Sequence, residues 1–177
     1  MDWWRGAFRG VAPNGSKTID YHLFVTTVSI LLDFDMELQR ESRLCWAAVS
    51  VAIGRYYGQM AVPEQLAFAE SVWGSRYNRF FEPDKSLALV GNLGEVLDRP
   101  LRLDEIRQEL AAAQPIVACM KHFVGWHLVV IYGMDETGML SVADSQLGKS
   151  QWMFPAFTSK YREYYSWTHT YTTRRNE

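Results

Sequence analysis

The chain has 177 residues, of which 48% are hydrophobic and 21% charged, a balance typical of one soluble globular domain. Lysine and arginine number 18 against 20 aspartate and glutamate residues, which argues against a nucleic-acid-binding protein, because such proteins displace counterions with a strongly basic surface. The aromatic content of 14% is high and predicts a core and groove walls built with large rings.

The N-terminal sequence carries no signal-peptide pattern. It begins Met1-Asp2-Trp3-Trp4, whereas a signal peptide has a basic segment followed by an apolar one. The apolar stretch at residues 23–32 is too short to span a bilayer. We therefore expect a protein that is cytoplasmic at synthesis and has no membrane span, with secretion by a signal-independent route left open.

The first part of the chain predicts little regular structure. Residues 1–17 contain glycine, proline and asparagine without a hydrophobic period, which predicts an irregular N-terminal arm on a single domain spanning residues 1–177. Residues 18–35 are rich in β-branched and aromatic residues and predict one or two strands.

Helical patterns follow in the first half of the chain. Apolar residues recur at helical spacing from about residue 42 to Gly58, and Pro63 is typical of the first turn of a second helix that reaches about residue 73. A loop is predicted for residues 73–83, a helix weakened by two glycines for residues 87–97, and a further helix for residues 103–113.

Short β-prone segments dominate the second half of the chain. Three of them cover residues 116–120, 127–132 and 139–143, and residues 135–138 fit a hairpin turn between the last two. Further strands are predicted at residues 152–157 and 164–171. Because helices precede an antiparallel sheet, the predicted fold class is α+β.

Cys45 lies where the first helix is expected to begin. Free peptide N–H groups at a helix N-terminus favour the thiolate, which is the form that attacks a carbonyl carbon. Gln39, six residues earlier, is a candidate oxyanion donor together with the backbone N–H of Cys45. The alternatives are a small buried apolar cysteine and a surface glutamine. Cys119 lies inside an apolar strand and is predicted to be a core residue.

His127 begins a β-prone segment, where an imidazole is held rigidly while one edge stays accessible to a reaction partner. Asp144 ends the next predicted strand. Because hairpin partners lie about 5 Å apart, its carboxylate is placed to orient the imidazole and to stabilise the protonated ring. The alternatives are a strand-end histidine bonded to backbone and a solvated carboxylate. His122 is a rival base, but it lies in a predicted loop at residues 121–125, where rigid placement is harder.

The combined pattern resembles papain-like cysteine peptidases, above all the small bacterial kinds that include secreted effectors and leader-peptide-processing enzymes. The nucleophile motif is Gln39-x5-Cys45-Trp46-Ala47-Ala48. The later similar segments are Leu103-Asp104-Glu105-Ile106, Gln114-Pro115-Ile116-Val117, residues 125–135 around His127, and Val142-Ala143-Asp144. The resemblance covers residues 32–157, and residues 1–31 have no counterpart in it.

The resemblance implies a nucleophile at Cys45, a base and acid at His127, an orienting carboxylate at Asp144 and an oxyanion donor at Gln39. It also implies a cleft between a helical half led by the Cys45 helix and a C-terminal antiparallel sheet. Two departures are Leu128, where many relatives have a small residue after the histidine, and Ser145, where they have proline after the aspartate.

The predicted reaction is hydrolysis of a peptide or isopeptide bond in a peptide or protein substrate through a thioester, which requires neither metal nor cofactor. An activating partner is compatible with the sequence. Two alternatives stay open: a transglutaminase-like acyltransferase with the same triad, and a non-catalytic binding module that keeps the scaffold.

Overall fold

The computed structural model describes residues 28–59 and 61–176. The predicted arm at residues 1–17 and the strand region up to residue 27 lie outside the described residues. Of the region predicted as extended, only Ile30–Leu31 forms a strand within the part that is described.

Helices and strands alternate in blocks along the described residues. The helices are α1 (Cys45–Tyr56), α2 (Gln65–Trp73), α3 (Pro83–Leu89), α4 (Leu103–Ala111) and α5 (Phe154–Lys160), with a 3₁₀ turn at Gly74–Arg76. The strands are β1 (Ile30–Leu31), β2 (Leu93–Leu97), β3 (Ile116–His122), β4 (Gly125–Met134), β5 (Met139–Asp144), β6 (Gly148–Met153) and β7 (Ser166–Thr173).

One antiparallel sheet organises the molecule, in the order β2-β7-β3-β4-β5-β6, with β1 pairing beside β4. The β4–β5 hairpin turns at Asp135, whose carboxylate accepts hydrogen bonds from the backbone N–H groups of Thr137 and Met139. Gly138 completes this turn at φ 86, a conformation that favours glycine. Helices followed by an antiparallel sheet confirm the α+β class.

Each face of the sheet covers a separate hydrophobic core, because side chains alternate along a strand. On β4, Leu128 and Val130 face the core that contains α1, whereas Val129 and Ile131 face the core that contains α4 and the aromatic residues after β6. The first ten residues of α1 are all buried, so this helix is enclosed between the sheet and the α2–α3 layer.

A β-bulge interrupts the β4–β5 pairing at Tyr132. Ile131 lies opposite Val142, but Gly133 lies opposite Ser141, so Tyr132 is the extra residue on β4. Strand β1 approaches at this point, since a side-chain carbon on Gly133 would lie 2.7 Å from Leu31. The bulge shifts the register by one residue, and therefore decides which β4 side chains share a face with those of β5.

Two predicted elements are wrong. Residues 87–97 are not one helix: α3 ends at Leu89, Gly91 takes a φ of 73, and the chain continues as strand β2 against β7. The predicted strand at residues 152–157 is mostly helix α5, because Pro155 occupies its first turn. The loop expected at residues 121–125 is also shorter, since β3 extends through His122.

Among residues 28–59 and 61–176, no helix combines the length and the apolar character that a membrane crossing requires.

Candidate active site

Cys45 is the first residue of α1 and is buried. The preceding residue, Leu44, offers no side-chain hydrogen bond as a cap. The first N–H groups of a helix have no hydrogen-bond partner within the helix. In α1 the residue before Cys45 does not cap these groups with its side chain, so they remain as donors at the end of the helix where Cys45 lies. This confirms the predicted helix start and leaves backbone donors beside the thiol.

His127 and Asp144 form a buried pair on one face of the sheet. His127 Nε2 lies 2.7 Å from Asp144 Oδ1. The residue directly opposite Asp144 is Val129, so His127 is its diagonal neighbour rather than its direct partner. The bulge at Tyr132 makes this possible, because an unbroken register would place Asp144 opposite Val130 and thus on the other face from His127.

The electrostatics of His127 favour a charged ring. Burial alone lowers the pKa of the imidazole, but hydrogen bonds with Asp144 and Cys45 and the charges of both groups raise that pKa to about 9. Because Asp144 occupies Nε2, the nitrogen left for the Cys45 thiol is Nδ1. Cys45, from the helical half, is close enough to His127, from the sheet half, to raise the pKa of its ring.

Asp144 has a second side-chain partner that the sequence did not reveal. The Tyr161 hydroxyl donates to Asp144 Oδ2 at 2.6 Å, and the backbone N–H of Gln146 donates to Oδ1 at 2.8 Å. Burial would raise the pKa of Asp144, but His127 and these donors hold it below its ordinary value. Burial and the Asp144 carboxylate raise the pKa of Tyr161 well above that of a free tyrosine.

The turn between α5 and β7 holds two tyrosines against the His127–Asp144 pair. Tyr161 and Tyr165 form a β-bridge, and the Tyr165 ring centroid lies 6.0 Å from that of His127. Arg162 and Glu163, between them, have φ angles of 50 and 76, which non-glycine residues rarely adopt. A strained turn therefore fixes two rings at the site.

Gln39 is anchored to the residue that follows Asp144. Its side-chain oxygen accepts a hydrogen bond from the Ser145 hydroxyl at 2.9 Å, and its backbone N–H donates to the Ser145 carbonyl at 2.7 Å. One amide N–H donates to the Glu41 carbonyl at 2.8 Å. The other N–H of that amide is left as a donor. Ser145, one of the two departures from the family pattern, thus orients this glutamine.

Within the described residues, neither Cys119 nor His122 forms a side-chain hydrogen bond with His127 or Asp144, although the His122 ring also contacts Tyr165 at a centroid distance of 5.5 Å. Cys119 is buried, and burial together with the negative charge of Cys45 raises the pKa of its thiol to about 11. The prediction of a core cysteine is confirmed. His122 ends β3, and its ring packs against Phe123 and Tyr164 at centroid distances of 5.0 and 5.1 Å.

Across the described ranges 28–59 and 61–176, no group of three or more histidine, cysteine or acidic side chains is arranged to ligate a metal ion.

A family model described as papain-like cysteine protease AvrRpt2 matches residues 28–162. The chain belongs to this family. It is therefore a papain-like cysteine peptidase, and the matched span includes Cys45, His127, Asp144 and Tyr161.

The fold of the peptidase has a solved counterpart. The peptidase domain of Streptococcus ComA, a bi-functional ABC transporter involved in a quorum-sensing pathway, superposes with a TM-score of 0.60 at 14% sequence identity. The match covers 79% of this chain and 98% of that domain. At this identity the likeness shows the fold alone. No curated protein sequence matches the peptidase.

Proposed function

We propose that the peptidase hydrolyses peptide or isopeptide bonds through a triad of Cys45, His127 and Asp144. The observation that carries this proposal is the buried His127 ring, which bonds Asp144 at 2.7 Å through Nε2 and whose pKa is raised by both Asp144 and Cys45. Nucleophile, base and orienting group therefore follow one another in the order that thiol-dependent acyl transfer requires.

The first half of the reaction forms a thioester. The Cys45 proton passes to His127, and the thiolate attacks the carbonyl carbon of the scissile bond. The N–H groups at the start of α1 and the unengaged amide N–H of Gln39 stabilise the resulting oxyanion. His127 then returns its proton to the leaving amine as the C–N bond breaks.

The second half restores the enzyme. His127 takes a proton from water, whose oxygen attacks the thioester carbonyl, and the C–S bond breaks with release of the carboxylic acid. Asp144 keeps Nδ1 of the ring directed at the reacting atoms throughout and stabilises the imidazolium. Tyr161 and Gln146 in turn hold the carboxylate in place.

The test is intact-mass labelling with a thiol-directed epoxide near neutral pH. One adduct is expected in the native protein, absent in Cys45→Ala, and formed more slowly in His127→Ala. Cys119→Ala is the matched control. The native Cys119 thiol is buried and has a pKa of about 11, so its removal is expected to leave labelling unchanged. An adduct that depends on Cys119, or none at all, contradicts the triad.

Once labelling has identified the reactive cysteine, analysis of the products from a peptide substrate distinguishes hydrolysis from acyl transfer. If a peptide substrate with an added amine yields only the amide and no free acid, the same residues perform acyl transfer instead of hydrolysis. A native protein that neither labels nor cleaves would instead be a binding module on a papain-like scaffold.

A further inference from the structure

Three exposed arginines on the helical side of the molecule have no carboxylate partner within the described residues. Arg43 stands two residues before Cys45, and Arg76 and Arg79 lie between α2 and α3; all three are exposed. Within residues 28–59 and 61–176, none of them forms an ion pair, whereas the following arginines each do: Arg40, Arg55, Arg99, Arg102 and Arg174. We refer to Arg43, Arg76 and Arg79 as the arginine rim.

Backbone contacts tie the arginine rim to the first turn of α1. Trp46, which follows the nucleophile, donates its indole N–H to the Arg79 carbonyl at 2.8 Å. The Arg43 backbone N–H donates to the Asn78 side-chain oxygen at 3.0 Å. These two bonds hold Arg79 and Arg43 near the start of α1.

Aromatic rings contact two of the three guanidinium groups and extend toward His127. Arg79 lies 4.8 Å from the Trp73 ring and Arg43 lies 5.7 Å from the Phe80 ring. The Phe80 ring lies 5.5 Å from that of Trp126, the residue before His127. Arg43 therefore places a positive charge beside Phe80, whose ring contacts Trp126 of the sheet half.

A cavity of about 590 Å³ opens beside the arginine rim. Its lining consists of Glu41, Ser75, Arg76, Tyr77, Asn78 and Arg79. Glu41 is the single carboxylate among them, so two guanidinium groups outweigh it. The net charge of the whole chain is −2, so this local excess of positive charge is not explained by the overall composition.

We propose that the arginine rim binds an acidic segment of the substrate beside the scissile bond. This inference rests on the proposed peptidase function and adds the class of substrate to it. Arginine donates paired N–H groups to carboxylates, and stacking against Trp73 and Phe80 limits the side-chain freedom lost on binding. The occupant is a peptide segment rich in aspartate or glutamate, from a free peptide or a protein.

Binding is measured on the Cys45→Ala protein, so that no cleavage is needed. The probes are two fluorescent peptides of equal length, one alternating aspartate with glycine and the other alternating asparagine with glycine, followed by fluorescence anisotropy at low and high salt. We expect the aspartate peptide to bind about tenfold more tightly, because three exposed charge contacts each contribute a small factor, and to lose this advantage as salt rises.

Substitution of Arg43, Arg76 and Arg79 by glutamine is expected to abolish the preference for the aspartate peptide. The matched control is Arg175→Gln, an exposed arginine that lies over the Tyr57 ring. Tyr57 follows the last residue of α1, about 18 Å from Cys45 along a 12-residue helix, so this change should leave binding unaltered. Substitution of the rim by glutamate should reverse the preference toward a lysine–glycine peptide.

Epoxide labelling of Cys45 in the native protein locates the bound peptide. The aspartate peptide should slow labelling and the asparagine peptide should not. Equal binding of the two peptides, binding without protection, or tighter binding of a single-stranded oligonucleotide would each overturn the acidic-substrate proposal. Absence of labelling without any peptide would instead overturn the triad, while the anisotropy result would still decide the role of the rim.

Discussion

Substitution of Tyr161 by phenylalanine tests whether the buried hydroxyl holds the Asp144 carboxylate. The change removes one oxygen and leaves Asp144 Oδ2 without the donor that lies 2.6 Å away. Both side chains are fully or almost fully buried, so water does not readily replace the bond. Hydrogen bonds to charged groups contribute about 1.5–3 kcal/mol, and we expect the free energy of unfolding at pH 7 to fall by about 2–3 kcal/mol.

The pH dependence of this loss identifies Asp144 as the partner. A carboxyl group whose pKa is lowered in the folded state stabilises the protein above its unfolded pKa, and this contribution disappears as the pH falls through the folded pKa. Tyr161→Phe moves the folded pKa of Asp144 back toward its ordinary value. The difference in stability between the two proteins should therefore shrink below about pH 4.

Urea unfolding of the native protein, Tyr161→Phe and Tyr164→Phe provides the assay. Tyr164 is 60% exposed, so loss of its hydroxyl should change the free energy of unfolding by less than about 0.5 kcal/mol. Equal losses in the two variants, or a Tyr161→Phe loss that is independent of pH, would refute the reasoning.

Three further predictions concern titration and strain. Because the His127 pKa is about 9, the rate of epoxide labelling should decline above that pH as the imidazolium loses its proton. Asp144→Asn should move this decline toward neutral pH when labelling rates are measured over a series of pH values. Since burial raises the Cys119 pKa to about 11, iodoacetamide at pH 8 should modify this thiol only after urea unfolding; prompt modification of the native protein would contradict its burial. Glu163→Gly should raise the free energy of unfolding by about 0.5–1 kcal/mol by relieving a φ of 76, whereas Glu136→Gly, in a turn of negative φ, should not stabilise the protein.

The helix that begins at Cys45 was predictable because its signals are local. Helical spacing of apolar residues and the stop at Gly58 define α1, and the helix start by itself gives Cys45 its special position. The turn at Asp135 likewise carries its own hydrogen-bonding groups. Elements of this kind can be predicted from a short window of sequence.

Strand β2 could not be predicted in this way, because its conformation depends on a partner far along the chain. Leu93–Leu97 pairs with β7, and Gly94 allows the close approach of Thr172, to which a side-chain carbon would lie 2.5 Å away. Within its own window the same segment has an apolar pattern that also suits a helix. Pairing with a distant strand decided between the two.

The sequence suggested the main residues of the candidate site but not the residue that supports them. Cys45, His127 and Asp144 follow from position and order, whereas the Tyr161 hydroxyl meets Asp144 only through tertiary packing after α5. Several tyrosines occur in that part of the sequence, and no spacing singles out the one that faces the carboxylate.

The bulge at Tyr132 sets the β4–β5 register on which the contact between His127 and Asp144 depends. Deletion of one residue from the strand between His127 and the turn would leave every proposed catalytic side chain in the sequence and turn His127 to the opposite side of the sheet from Asp144. A compensating one-residue insertion in the same strand would bring them back together. Strand length in this hairpin therefore determines the His127–Asp144 contact as much as the identity of the residues does.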